Sequence, residues 1–190
     1  GLLSLQARAA RLEALTRDTP FSVSPELEQG APEIVAHERR LYESSRAEMA
    51  AQSSMARDQL SQRRQEINEA RARHTQASRG LELVQKELDT TRPLVRTGAV
   101  SEVEILRLER ELARLRGERD LASAQISKAQ AAIAEASSKI DEVELTVRNQ
   151  MRAELSETMG KLASLAEGNR SLADKVHHAE ILSPVRGTVK

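Results

Sequence analysis

The sequence predicts a mainly α protein. It reads as a long antiparallel α-helical hairpin, a coiled coil with one arm split into two helices, followed by a short β segment. Three observations predict this. Apolar residues recur at heptad spacing through two long stretches. One compact stop-and-start signal, Arg92 to Ser101, separates those stretches. The composition excludes an ordinary core, because 31% of the 190 residues are charged and 1% are aromatic, Phe21 and Tyr42 alone. Compact cores draw much of their buried area from aromatic rings. Leu, Ile, Val and Ala set among Glu, Arg, Lys and Gln are the composition of long paired helices.

The first helix is expected over 2–16, with Leu5, Leu12 and Leu15 on one face. A linker over 17–31 follows, since Pro20, Pro25 and Gly30 interrupt helical hydrogen bonding there. Pro32 suits the first turn of the next helix, where its missing N–H is not needed. That second helix is expected over 32–91. Its seam is Leu60, Ile67, His74, Leu81 and Leu88, with Ala56, Ala70, Ala77 and Val84 as a companion column. Arg63 falls in the companion column and is expected to reach out to solvent.

The tip, 92–101, carries a complete reversal signal. Pro93 removes one hydrogen bond near the helix end. Gly98 can take the left-handed conformation that terminates a helix. Ser101 and Glu104 form a capping-box pattern, and Val100 and Ile105 occupy the positions of a hydrophobic staple. The third helix is expected over 101–178. One column runs Ile105, Leu112, Arg119, Ile126, Ile133, Ile140 and Val147, and the other Leu108, Leu115, Ala122, Ala129, Ala136 and Val143. Spacing then shifts to four and four through Met151 and Leu155, a stutter that relaxes the supercoil.

If the chain folds back between Arg96 and Thr97, facing residues have numbers summing to about 193. Leu88 then meets Ile105, Leu81 meets Leu112, and the two polar seam members, His74 and Arg119, share a layer. The third helix would measure roughly 115 Å and the second roughly 90 Å, so the first helix, added end to end, nearly equalises the arms. On that reading Leu5, Leu12 and Leu15 pack near Leu162, Leu165 and Leu172. In residues 179–190 the pattern Ile181, Ser183-Pro184, Gly187 and Val189 reads as strand, turn, strand. Two short strands are not stable alone, so they belong to a larger β unit.

Function classes narrow quickly. Twenty-nine basic and 29 acidic residues are interspersed, so no basic face is available for nucleic acid. Absent cysteines exclude disulfides and thiolate metal sites. No stretch is long and apolar enough to cross a membrane, and Gly1 in place of an initiator methionine reads as the start of a trimmed fragment. His74 lies in the seam, adjacent His177 and His178 point apart on a helix, and His37 has no ligand set around it. No catalytic motif appears, so an enzyme, a cofactor and a metal site are not expected. The tip is the remaining candidate. Leu94, Val95, Ala99 and Val100 are more apolar than a solvated turn requires, and exposed loops on rigid scaffolds often carry function.

Three segments resemble periplasmic adaptor proteins, or membrane fusion proteins, of the HlyD type. "ILSPVRGTVK" is similar to the start of the second half of their lipoyl-like domain. "LVRTGAVSEVE" is similar to their hairpin tip, and "LQARAARLEAL" to the helix that leaves the first lipoyl half in type I secretion adaptors. In the family tip motif, the leucine matches Leu94 and the serine matches Ser101. The arginine position falls on Thr90, with Arg92 and Arg96 nearby. The resemblance implies a protein anchored in the inner membrane and projecting into the periplasm, with no cofactor. It would bridge an ABC transporter to a TolC-like outer-membrane channel for one-step protein export, as a homo-oligomer, a hexamer. Arg92, Leu94, Arg96, Gly98, Val100 and Ser101 would then meet the channel. Two other readings stand beside it: an adaptor of a multidrug efflux pump, and a structural coiled coil without a transport role.

Overall fold

The computed structural model describes residues 1–181 of the chain. Its elements are α1 (Leu2–Arg17), α2 (Pro25–Gly30), α3 (Pro32–Arg96) and α4 (Glu102–Ile181), and no strand occurs among the described residues. The fold is therefore mainly α, a long helical hairpin. The expected strand and turn over 182–190 lie outside the described residues. Ile181, expected to open a strand, is the last residue of α4. Two compact units are present: Ser53–Glu142, and Gly1–Gln52 with Val143–Lys190.

In Ser53–Glu142 the outgoing helix and the returning helix pack along the expected seams. Leu81, Leu88, Leu108, Leu112 and Leu115 form one buried cluster, with Val84 and Ile105 half-buried against it. Farther from the tip the buried positions are mostly small: Ala56, Ala70 and Ala77 on α3, and Ala122, Ala129 and Ala136 on α4, with Ile67 the large exception. Ile126, Ile133 and Ile140, in the neighbouring column, are only half-buried. Register agrees with the fold-back to within two residues. Gly80 faces Leu115, whose Cδ1 lies 3.2 Å from where a Cβ would stand, against Ala113 in the expected register. Arg63 is exposed and pairs with Glu66 at 3.1 Å.

The polar pair expected in one layer makes no hydrogen bond across the seam. His74 and Arg119 are both half-buried, but the Arg119 guanidinium donates to Asp120 Oδ1 at 3.1 and 3.2 Å. Among the described residues no hydrogen bond joins Arg119 to His74. A neighbouring carboxylate on the same helix satisfies a guanidinium more cheaply than an imidazole across the seam, because charge-assisted bonds are the stronger ones.

The other unit corrects the placement of the first helix. Arg11 Nε donates to Glu38 at 2.6 Å, the Tyr42 hydroxyl donates to the Thr19 carbonyl at 2.7 Å, and Arg46 lies 3.4 Å from Asp18. From Arg11–Glu38 to Asp18–Arg46 the numbers rise together on both sides, so α1 runs parallel to the start of α3 and beside it. It does not extend α3 end to end. Arg8 meets Glu154 of α4 at 3.7 Å, and Met151 packs on the same core, so three helices share one interior. That core holds Ala7, Ala14, Leu15, Phe21, Leu27, Ala31, Val35 and Tyr42. Leu165 and Leu172, expected against α1, are exposed.

The chain between α1 and α3 explains the reversal. Asp18 ends α1 in the left-handed conformation, φ 54°, a geometry that Asp tolerates better than most residues. The Thr19 N–H then closes the end by donating to the Ala14 carbonyl at 2.9 Å. The expected irregular linker over 17–31 contains a short helix, α2. Ser24 Oγ accepts from the Leu27 N–H at 3.3 Å, Pro25 occupies the first turn, and Glu26 and Glu28 lie at the positive end. Pro25 thus starts a helix rather than breaking one. The two aromatic rings meet in this unit, Phe21 and Tyr42 at 5.9 Å, with Arg39 over the first and Arg46 over the second.

Two predictions follow from these cores. A Cβ at Gly117 would meet nothing within 4 Å, so Gly117→Ala should stabilise the helix by about 1 kcal/mol. Gly80→Ala should gain less, because Leu115 must move aside. Urea unfolding followed by circular dichroism compares the two. The second concerns Arg11 and Glu38, whose side chains are 11% and 12% exposed. Glu38→Ala should destabilise by about 3 kcal/mol by stranding a charge, whereas the double change Arg11→Met, Glu38→Leu should be close to neutral.

Candidate interaction site at the hairpin tip

The reversal is built from backbone hydrogen bonds. Gly98 has φ 77° and its N–H donates to the Val95 carbonyl at 3.1 Å, while the Ala99 N–H donates to the Leu94 carbonyl at 3.0 Å. This pair is a Schellman closure, and it uses carbonyls that the end of α3 would otherwise leave unpaired. Thr97 Oγ1 adds a bond to the Leu94 carbonyl at 2.9 Å. The helix, expected to stop at 91, continues to Arg96 with Pro93 inside it. Proline deletes a single bond so near the end, and the closure beyond it holds the last turn.

Ser101 caps α4 by a different arrangement from the one expected. Its Oγ accepts from the Val103 N–H at 3.2 Å. The Glu104 N–H turns instead to the Ser101 carbonyl at 3.1 Å. The Glu104 carboxylate does not complete a capping box. It binds Arg107 at 2.6 Å, one turn along the helix, and this bond holds its pKa below the usual carboxylate range. An ionised guanidinium outcompetes a backbone N–H for the carboxylate.

The sequence-selected residues fall around this turn. Arg92 is exposed and pairs with Glu109 of α4 at 3.2 Å. Leu94 is 41% exposed, Arg96 is exposed at the last position of α3, and Val100 is half-buried. Two apolar residues were missed: Val103 and Leu106, in the first turns of α4, are 72% and 54% exposed. Their signal was available, since both lie off the seam columns. Val95, Arg92 and Arg96 of α3, with Glu102, Ile105, Leu106 and Glu109 of α4, line a groove of about 440 Å³ beside the turn. Among the described residues no group of three or more His, Cys, Asp or Glu is placed to hold a metal ion.

A model of the AprE family, described as a long α-helical hairpin, matches residues 1–175. The chain belongs to that family. No curated protein matches the chain by sequence. Among solved structures, the AprE-family chain is similar to the soluble domain of LipC, a membrane fusion protein of a type I secretion system. The two share 15% identity with a TM-score of 0.85, over 93% of this chain and 68% of that one. At that identity the likeness is one of fold.

The tip supplies a local stability test. Ser101→Ala should cost about 1 kcal/mol through the lost cap. Gly98→Ala should cost a similar amount, about 1 kcal/mol, by forcing a Cβ into the left-handed region. Amide exchange should speed up at Val103 and Ala99, respectively, with seam amides near Leu81 unchanged.

Proposed function

We propose that this chain is the hairpin region of a type I secretion adaptor whose tip docks on an outer-membrane channel. Membership in the AprE hairpin family supports the adaptor role, as does the fold shared with a type I secretion membrane fusion protein. The observation that carries the docking role is the tip itself. A turn fully closed by its own backbone still exposes Leu94, with Val103 and Leu106 beside it. Isolated exposed apolar residues are ordinary, but a cluster on the end of a stiff hairpin is a contact surface.

On this reading the role is mechanical rather than catalytic. The protein stands in the periplasm, held at the inner membrane, and joins an ABC transporter to a TolC-like channel, with six copies forming a conduit. No helix among the described residues is long and apolar enough to cross a membrane, so anchoring would fall to other parts of the protein. Arg92, Arg96, Gly98, Val100 and Ser101 shape the tip, and Leu94 provides the apolar contact. Burial of a leucine side chain is worth about 1.5–3 kcal/mol, enough for a large effect when repeated around a ring of copies.

Leu94→Asp should abolish export while leaving helicity and melting temperature nearly unchanged, because position 94 is exposed at the end of α3. Export of the secreted substrate and circular dichroism of the purified variant are the two measurements. Normal export would leave Leu94 with no part in docking.

A further inference from the structure

The groove beside the turn suggests what the tip recognises. Its apolar lining is Val95, Ile105 and Leu106, and Arg92 and Glu109, which also line it, form an ion pair at 3.2 Å. Neighbouring charges on α4 are also paired: Arg107 with Glu104, and Arg114 with both Glu111 and Glu118. Arg96 of α3 and Glu102 of α4, both in the lining, have no ion pair among the described residues. Each suits its own helix end, a base in the last turn of α3 and an acid in the first turn of α4. Neither is used by the other, although they are opposite in sign and line one groove.

We infer that this groove seats one apolar side chain of the partner protein, with Arg96 meeting a carboxylate and Glu102 a basic group that flank it. The occupant is a protein segment of mixed charge with a central apolar anchor. Nucleic acid and an anionic lipid surface carry one sign of charge and would leave Glu102 opposed. Val103, exposed in the first turn of α4, then extends the contact beyond the groove. The inference rests on the docking role proposed above and assigns it a pocket and a polarity.

The test uses the full-length adaptor in cells carrying out export. Benzoylphenylalanine replaces Leu94, Leu106 or Leu121 in turn. Leu121 is a similarly exposed control farther along α4. Light should join positions 94 and 106 to the same outer-membrane protein, and position 121 to none. Leu106→Glu should lower export at least tenfold and Leu106→Ala severalfold, with helicity retained, while Leu121→Glu exports normally. A crosslink from 94 without one from 106, or normal export by Leu106→Glu, would show the groove empty and leave the docking role standing. Absence of crosslinks from both 94 and 106 would overturn the docking role as well. Crosslinking from 121 would mean the contact spreads along α4 and is not confined to the groove. Arg96→Glu and Glu102→Arg should each lower export severalfold, and combining them should not restore it. Restoration would show that the two charges serve each other, and the assigned polarity would fall.

Discussion

A pair of helices with no third neighbour can hide only one stripe on each, and the Ser53–Glu142 unit is built on that constraint. Every buried apolar residue there must fall in two columns of each helix, or it stays in water. The chain answers with leucine near the tip and, Ile67 apart, alanine farther away. Alanine buries little area per residue, but it leaves the backbones free to approach, so stability comes from a long run of modest layers. The same constraint makes register decisive. A helix that slid past its partner by one residue would shift every leucine by about 1.5 Å out of the gap that receives it, and the closed turn after Arg96 is what sets the starting point.

Because that constraint acts on spacing alone, most of the hairpin was legible in the sequence. Heptad columns identify the buried stripe, and the Gly98 and Ser101 signals place the reversal between them. Legibility failed where two partners compete for one group. Glu104 has a backbone N–H and an arginine within reach, and Arg119, expected in one layer with a histidine, has an aspartate next to it in the chain. Sequence spacing permits both outcomes, and the stronger ionic bond prevails in each. Pro25 and Pro93 misled in a related way. Proline is a poor helix interior residue, yet it sits easily in a first turn and is tolerated near an end, so its meaning depends on the cap beside it.

The placement of α1 was hidden for a different reason. Leu12 and Leu15 present the same helical face whether α1 extends another helix or lies against its side, and the arm lengths happened to suit extension. What decides the matter is a set of contacts between segments: Tyr42 to the Thr19 carbonyl, Arg11 to Glu38, and Asp18 to Arg46. With three helices present, an interior exists that a helix pair cannot provide. The two aromatic residues, Phe21 and Tyr42, are found there, and so is Glu38, which needs Arg11 because a buried carboxylate must be paired.

At the tip, the physics of ending a helix and of offering a surface converge. Gly98, Thr97 and Ser101 satisfy the polar backbone groups locally, so the turn needs no outside partner to fold. That self-sufficiency leaves the side chains of Leu94, Val103 and Leu106 without structural employment. Removing them would cost the hairpin little, since none is buried in its seam. Exposed leucines such as Leu83, Leu121 and Leu145 also occur along the helices, but Leu94, Val103 and Leu106 bring three large apolar groups to the neighbourhood of the turn. Exposed beside a turn that is already closed, they can change recognition more than stability.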